Sequence, residues 1–150
     1  MASEFKRTVV LPIDGSKMSE EAVEWYAKYL HRAENKIVLV HAPEGPTLAM
    51  SQGQHLNEGE IQKMIKREKE ETSVMQKKYD EKLKVHNLQA VYKTVYGKPG
   101  EAIVAAALEL AADMVVMGTR GLGTLRRTIM GSTSDYVVHH AHCPVIVCRK

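Results

Sequence analysis

Short apolar runs rich in β-branched residues alternate with stretches of helical spacing along this 150-residue chain. That alternation constrains the fold more than any other feature. Thr8 to Ile13 is apolar without a polar face, the pattern of a strand buried on both sides. Ile37-Val38-Leu39-Val40, within 36–42, is a second apolar run, Met114-Val115-Val116-Met117 and Val145-Ile146-Val147-Cys148 are later ones, and Gln89 to Val95 reads as the third strand. Between the first two runs, Ala22, Val23, Tyr26, Ala27 and Leu30 keep one helical face, with Ser16 or Ser19 as N-cap. Residues 60–83 read as a long charged helix with Ile61, Met64, Ile65, Thr72, Met75, Tyr79 and Leu83 inward and Glu68 interrupting. Its Lys and Glu run reads as a solvated face. Lys98-Pro99-Gly100 opens a further helix, with Pro99 suited to the first turn, and a last helix follows Ser132.

Strands alternating with helices imply α/β architecture: an open, Rossmann-like five-stranded parallel sheet with helices on both faces and right-handed crossovers. Ligands of such sheets bind beyond the carboxyl ends of the strands, where strand order reverses. Asp14, Ala42 and Gly118 follow the first, second and fourth strands and are expected to meet there. Residues 42–59, with Pro43, Gly45, Pro46, Gly53 and Gly59, read as a long loop that could cover such a site.

Composition narrows the function classes. The length fits one domain, 1–150, with a substantial core. A net charge of +3 with 5% aromatic residues lacks the basic, aromatic-interleaved stripe of a nucleic-acid binder. No run approaches a membrane span and no signal-peptide core opens the chain, so a cytoplasmic protein is expected. Cys143 and Cys148 bracket roughly 16 Å of extended chain, beyond disulfide reach. His139, His140 and His142 invite a zinc site, but no complete ligand spacing accompanies them. They suit the end of a helix, where positive charge is favoured.

The stretch most suggestive of chemistry runs from Gly118 to Ser134. An apolar strand ends in Gly118-Thr119-Arg120-Gly121, and a hydroxyl-rich helix start, Gly131-Ser132-Thr133-Ser134, comes nine residues later. Glycine lets backbone approach an anion closely. First-turn N–H groups and the helix dipole favour negative charge, and three hydroxyls add donors. The stretch is not a Walker loop, because Thr124 stands where lysine is required. Nor is it a dinucleotide fingerprint, because Arg126 follows Gly121-x-Gly123 where a small residue belongs. A surface loop whose glycines merely turn is the plain alternative.

The spacing Gly118-x2-Gly121-x9-Gly131-Ser132 resembles the ATP-binding signature of universal stress proteins. Val9-Val10-Leu11-Pro12-Ile13-Asp14-Gly15-Ser16, Asp113 to Gly118, and Gly131 through Cys143-Pro144-Val145-Ile146-Val147 resemble that family's first strand and turn, fourth strand, and closing helix and strand. Residues 43–88 carry little of it. The resemblance implies strand order 3-2-1-4-5 and an ATP cofactor. It places phosphate at Gly121, Gly131, Ser132 and Ser134, with Thr133 adding a hydroxyl, and ribose at the Gly118 backbone. Asp14 would take ribose hydroxyls or a phosphate-bound Mg ion, although a turn or cap role is open for it. Pro12, Ile13, Ala42 and Met117 would wall the adenine, with plain core packing the alternative for Ile13 and Met117. Arg120, and less so Arg126 and Arg127, would offset phosphate charge. A valine at position 131 would block phosphate and demand unusual backbone angles.

Three functions follow: a nucleotide-dependent binding module of the stress response, a slow nucleotide hydrolase or adenylyl-transferring enzyme, or a dimeric scaffold without nucleotide. The glycine-serine pattern speaks against the third. No lysine in the glycine loop and no evident general base speak against the second. Lys17-Met18-Ser19 resembles part of a synthetase signature but has no partner motif. In the implied order the last strand lies at the sheet margin, where its unpaired groups favour a homodimer.

Overall fold

The computed structural model describes residues 5–43, 49–50, 52–119 and 130–149. The strands are β1 (Arg7–Ile13), β2 (Asn35–His41), β3 (Ala90–Thr94), β4 (Met114–Gly118) and β5 (Val145–Cys148). The helices are α1 (Lys17–Tyr29), α2 (Glu58–Lys84), α3 (Pro99–Glu109) and α4 (Ser132–His140). All strand pairs are parallel, in the order β3-β2-β1-β4-β5. The expected sheet and order are therefore observed.

The apolar runs lack alternation because both sheet faces are covered, and period two sorts their side chains. Val9, Leu11, Ile37 and Leu39 point to one side and pack with Val23 and Tyr26 of α1 and Tyr79 and Leu83 of α2. Val10, Val38, Val40, Val115 and Met117 point to the other and pack with Ile103 and Ala106 of α3 and Val137 of α4. Ser16 caps α1, its side chain accepting from the Ser19 N–H at 3.2 Å. Asn57 caps α2, so this helix begins two residues before the expected Glu60. Pro99 takes a first-turn position of α3.

The expected inner stripe of the long helix holds only in its second half. Tyr79 and Leu83 are fully buried and Met75 packs against them, while Ile65 is 41% exposed. The cause is length. The 27 residues of α2 span about 40 Å, whereas a five-residue strand such as β3 spans about 17 Å. The first half of α2 therefore extends past the core, and Met64, Arg67, Glu68, Glu71 and Thr72 wall a cavity instead.

Candidate functional site

The cavity arises where the central strands part. Thr8 directs both its backbone groups toward β4: its N–H donates to Asp113 Oδ2 and its C=O accepts from the Asp113 N–H, each at 2.8 Å. By the strand period Val10 and Pro12 face the same way. Yet β1 pairs with β4 only at Val9 and Val10. Beyond Val10 the pairing ends. Pro12 contributes to this, because proline has no N–H to donate and so cannot continue the ladder toward β4. Its carbonyl instead accepts from Ser19 Oγ at 3.3 Å.

A cavity of about 760 Å³ fills this crevice, within the range of small-molecule sites. It brings together Pro12, Ile13, Asp14, Ala42, Met117, Gly118, Gly131, Ser132, Thr133 and Ser134 from four parts of the chain. Arg120 and Gly121, like Arg126 and Arg127, lie outside the described residues. Ile13 and Met117 are each about 95% buried and belong to opposite core clusters. They serve as core and as cavity floor at once. Asp14 is a turn residue, its Oδ1 accepting from the Ser16 N–H at 2.9 Å, and it also lines the cavity. Gly15 has φ +80, which a side chain rarely tolerates, so the turn after β1 depends on it.

On the β4 side the ends of the glycine-bearing stretch are pinned together. The Gly131 N–H donates to the Thr119 carbonyl at 2.7 Å, and the Thr119 N–H donates to the Cys148 carbonyl at 3.2 Å. Ser134 Oγ lies 2.6 Å from the same Thr119 carbonyl and 3.1 Å from that of Gly131. The Ser134 proton is thus committed to backbone, and toward the cavity its hydroxyl offers lone pairs only. The donors left for an anion are the Ser132 and Thr133 hydroxyls and the first-turn N–H groups, which have no acceptor within the helix. Gly118 is explained by packing: a Cβ there would sit 2.8 Å from the Met18 carbonyl oxygen. Gly131 has φ −67 and ψ 161, angles open to any residue. The expected demand for unusual backbone angles at 131 is not met, because this residue is an extended N-cap.

The opposite wall comes from α2 and the end of β2, and sequence reasoning missed it. His41, Arg67, Glu68 and Glu71 line the cavity, so part of the charged face of α2 borders it, with Arg67 and Glu71 still exposed to solvent. Glu71 is paired with Arg67 at 2.9 Å, and Glu68 accepts from the Tyr96 hydroxyl at 3.0 Å. His41 is held below the usual histidine range chiefly by burial, against the opposing pull of Glu68, Asp14 and Glu71. Its Nδ1 is buried with no hydrogen-bond partner among the described residues. Away from the cavity, His139 faces Asp135 at 3.4 Å and His140 stacks on Tyr136 at 4.1 Å. Both cysteines are free.

A doubly wound α/β domain with its cavity at the switch in strand order is the class defined by this fold. The sequence profile of the Universal stress protein family matches residues 6–149, and the chain belongs to that family. It is 29% identical over 150 residues to universal stress protein MJ0531 of Methanocaldococcus jannaschii, covering 96% of this chain and 82% of the relative. It is 31% identical over 143 residues to a Thermus aquaticus universal stress protein, covering 95% and 98%. Among solved structures it resembles protein MJ0577, with TM-score 0.76, 22% identity and 97% of each chain covered. It also resembles a universal stress protein in complex with cAMP, with TM-score 0.65, 23% identity and 96% and 98% covered. An Arabidopsis thaliana family member with AMP bound gives TM-score 0.67, 20% identity and 94% and 90% covered. At these identities the structural likenesses speak for the fold.

Proposed function

We propose that this protein is an adenine-nucleotide-binding module of the stress response, with ATP as its ligand in the switch-point cavity. The observation that carries the reading is the junction of two features: a crevice beyond β1 and β4, and the N-terminus of α4 opening into it with Ser132 and Thr133. The first supplies apolar walls at Pro12, Ile13, Ala42 and Met117. The second supplies N–H groups and hydroxyls for phosphate. The AMP and cAMP complexes of similar proteins support the same assignment. Asp14 has one carboxylate oxygen beyond its turn bond, which suits a ribose hydroxyl or a phosphate-bound Mg ion. Such an ion would neutralise phosphate charge.

Binding rather than turnover is the activity assigned. Efficient phosphoryl transfer needs an in-line nucleophile and charge stabilisation in the transition state, and the assigned contacts hold phosphate only. Purified protein incubated with ATP and passed over a desalting column is expected to retain nucleotide and release little ADP. Failure to bind any adenine nucleotide overturns the reading. A turnover number well above about 1 per second, lost in Asp14→Ala, replaces it with an enzyme.

A cytoplasmic homodimer through β5 completes the proposal. The strand is at the sheet margin, and Val145, Ile146, Val147 and Cys148 are each half-buried. A two-fold partner would satisfy its outer backbone groups. Ile146→Lys is expected to shift the mass by light scattering from dimer to monomer. A monomeric wild type at micromolar concentration, or an unchanged dimer in the variant, contradicts it.

A further inference from the structure

We infer that Tyr79 and Ser19 form a positioning pair that sets the nucleoside end of the cavity from within the core. This rests on the nucleotide reading. The two residues are 60 positions apart, and the Tyr79 hydroxyl lies 2.8 Å from Ser19 Oγ. Ser19 passes the chain on to the Pro12 carbonyl at 3.3 Å. All three are buried.

The direction of the chain follows from chemistry. The Pro12 carbonyl can only accept, so the Ser19 proton points to it. Tyr79 must then donate to Ser19. Burial pushes the Tyr79 phenol up to about 12, partly offset by Ser19 and the Gly15 backbone, so it remains a donor throughout the neutral range. Tyr79 thereby occupies an acceptor site of the Ser19 hydroxyl and reinforces the rotamer that donates to the Pro12 carbonyl. Ser19 in turn holds the Pro12 carbonyl just past the end of the β1–β4 pairing. Pro12 leads directly into Ile13 and Asp14, so the pair sets the height of the nucleoside wall and the aim of the Asp14 turn. Because Tyr79 belongs to α2, the same chain ties that wall to the helix carrying Glu68 and Glu71. The α4 phosphate cradle hangs on different bonds, those of Thr119, Gly131 and Ser134.

The pair therefore affects one end of the ligand and not the other. Tyr79→Phe keeps the ring in the core and deletes the donor, and Ser19→Ala deletes the relay. Calorimetry with AMP and with inorganic tripolyphosphate, both without divalent cations so that Asp14 cannot reach phosphate through a metal ion, reads the two ends separately. Each variant is expected to bind AMP about five- to tenfold more weakly while binding tripolyphosphate as wild type does. The double variant is expected to match Ser19→Ala alone, since Tyr79 acts through Ser19. A merely structural role moves the melting temperature but leaves the AMP-to-tripolyphosphate ratio unchanged, and that result overturns the inference. So does a double variant whose losses add. Failure of the wild type to bind AMP overturns the nucleotide reading and this inference with it. Intact wild-type binding with unaltered variants overturns this inference alone.

Discussion

The two walls of the cavity are built from different materials. On the β4 side the contacts belong to backbone: Gly118 pressed against α1, the Gly131 N–H and the Ser134 hydroxyl both directed at the Thr119 carbonyl, and the open first turn of α4. On the α2 side they belong to long charged side chains, Arg67, Glu68 and Glu71, around the end of β2. A backbone wall demands particular small and hydroxylated residues at fixed spacing, because close approach and capping tolerate few alternatives. A side-chain wall demands only a helix that runs past its core. The first wall therefore leaves little room for substitution at Gly118, whereas the second rests on side chains that can change without disturbing the backbone.

The sharpest way to break this contrast is Gly118→Val. If the β4 wall is fixed by backbone packing, a branched side chain aimed at the Met18 carbonyl has nowhere to go, because backbone rather than a flexible tip blocks it. The expected loss is about 3 kcal/mol, at the upper end for overpacking, or a fall in melting temperature of roughly 6–12 °C. A variant that melts within about 2 °C of wild type would show that the α1–β4 contact yields easily. The wall would then be no stiffer than its counterpart.

Gly131→Val separates ligand approach from fold on that same wall. Its backbone angles suit any residue, so melting is expected to change little. The side chain instead crowds the space before the α4 N-terminus, and ATP affinity is expected to fall at least tenfold, about 1.4 kcal/mol. Calorimetry on the folded variant decides. Equal affinity removes the phosphate assignment from this helix start.

What could be read in the sequence follows the same division. The strand runs were legible because burial on both faces leaves uninterrupted Val, Ile and Leu, as in Val9-Val10-Leu11. Gly131 to Ser134 was legible as a helix start, because a glycine followed by three hydroxylated residues suits an N-cap and first turn, and that start lines the cavity. Gly118 was legible as a glycine, but its reason, contact with Met18 from a distant element, exists only in three dimensions. Glu68 and Glu71 were illegible: a glutamate facing a cavity and one facing water carry the same sign on a helix full of Lys and Glu. His41 was equally hidden, since one polar residue ending an apolar strand looks like a boundary. Tyr79 was read correctly as inward, but no local pattern gives the partner of its hydroxyl 60 residues away.

The smallest expected effect tests whether the α2 wall senses charge in the cavity. Burial holds His41 below the ordinary histidine range in the folded chain. Between that depressed value and the unfolded value near 6.5, the unfolded chain binds more protons than the folded one. Stability therefore falls as pH drops through that window. Glu68 and Glu71 of α2 and Asp14 of the β1–α1 turn oppose the shift without reversing it. His31, whose Nδ1 lies 2.8 Å from the Tyr26 hydroxyl, is also lowered by burial, so two histidines share the acid limb. His41→Gln is expected to flatten the limb partly, by on the order of 1 °C in melting temperature, and His31→Gln to flatten it further. Bound nucleotide separates the two histidines. Phosphate charge in the cavity favours protonated His41 and leaves His31 untouched, so ATP binding at pH 6 is expected to draw in protons. Calorimetry in two buffers of different ionisation enthalpy measures that uptake, and His41→Gln should abolish it. Uptake that survives the substitution would place the responsible group elsewhere and leave the α2 wall electrostatically silent toward the ligand.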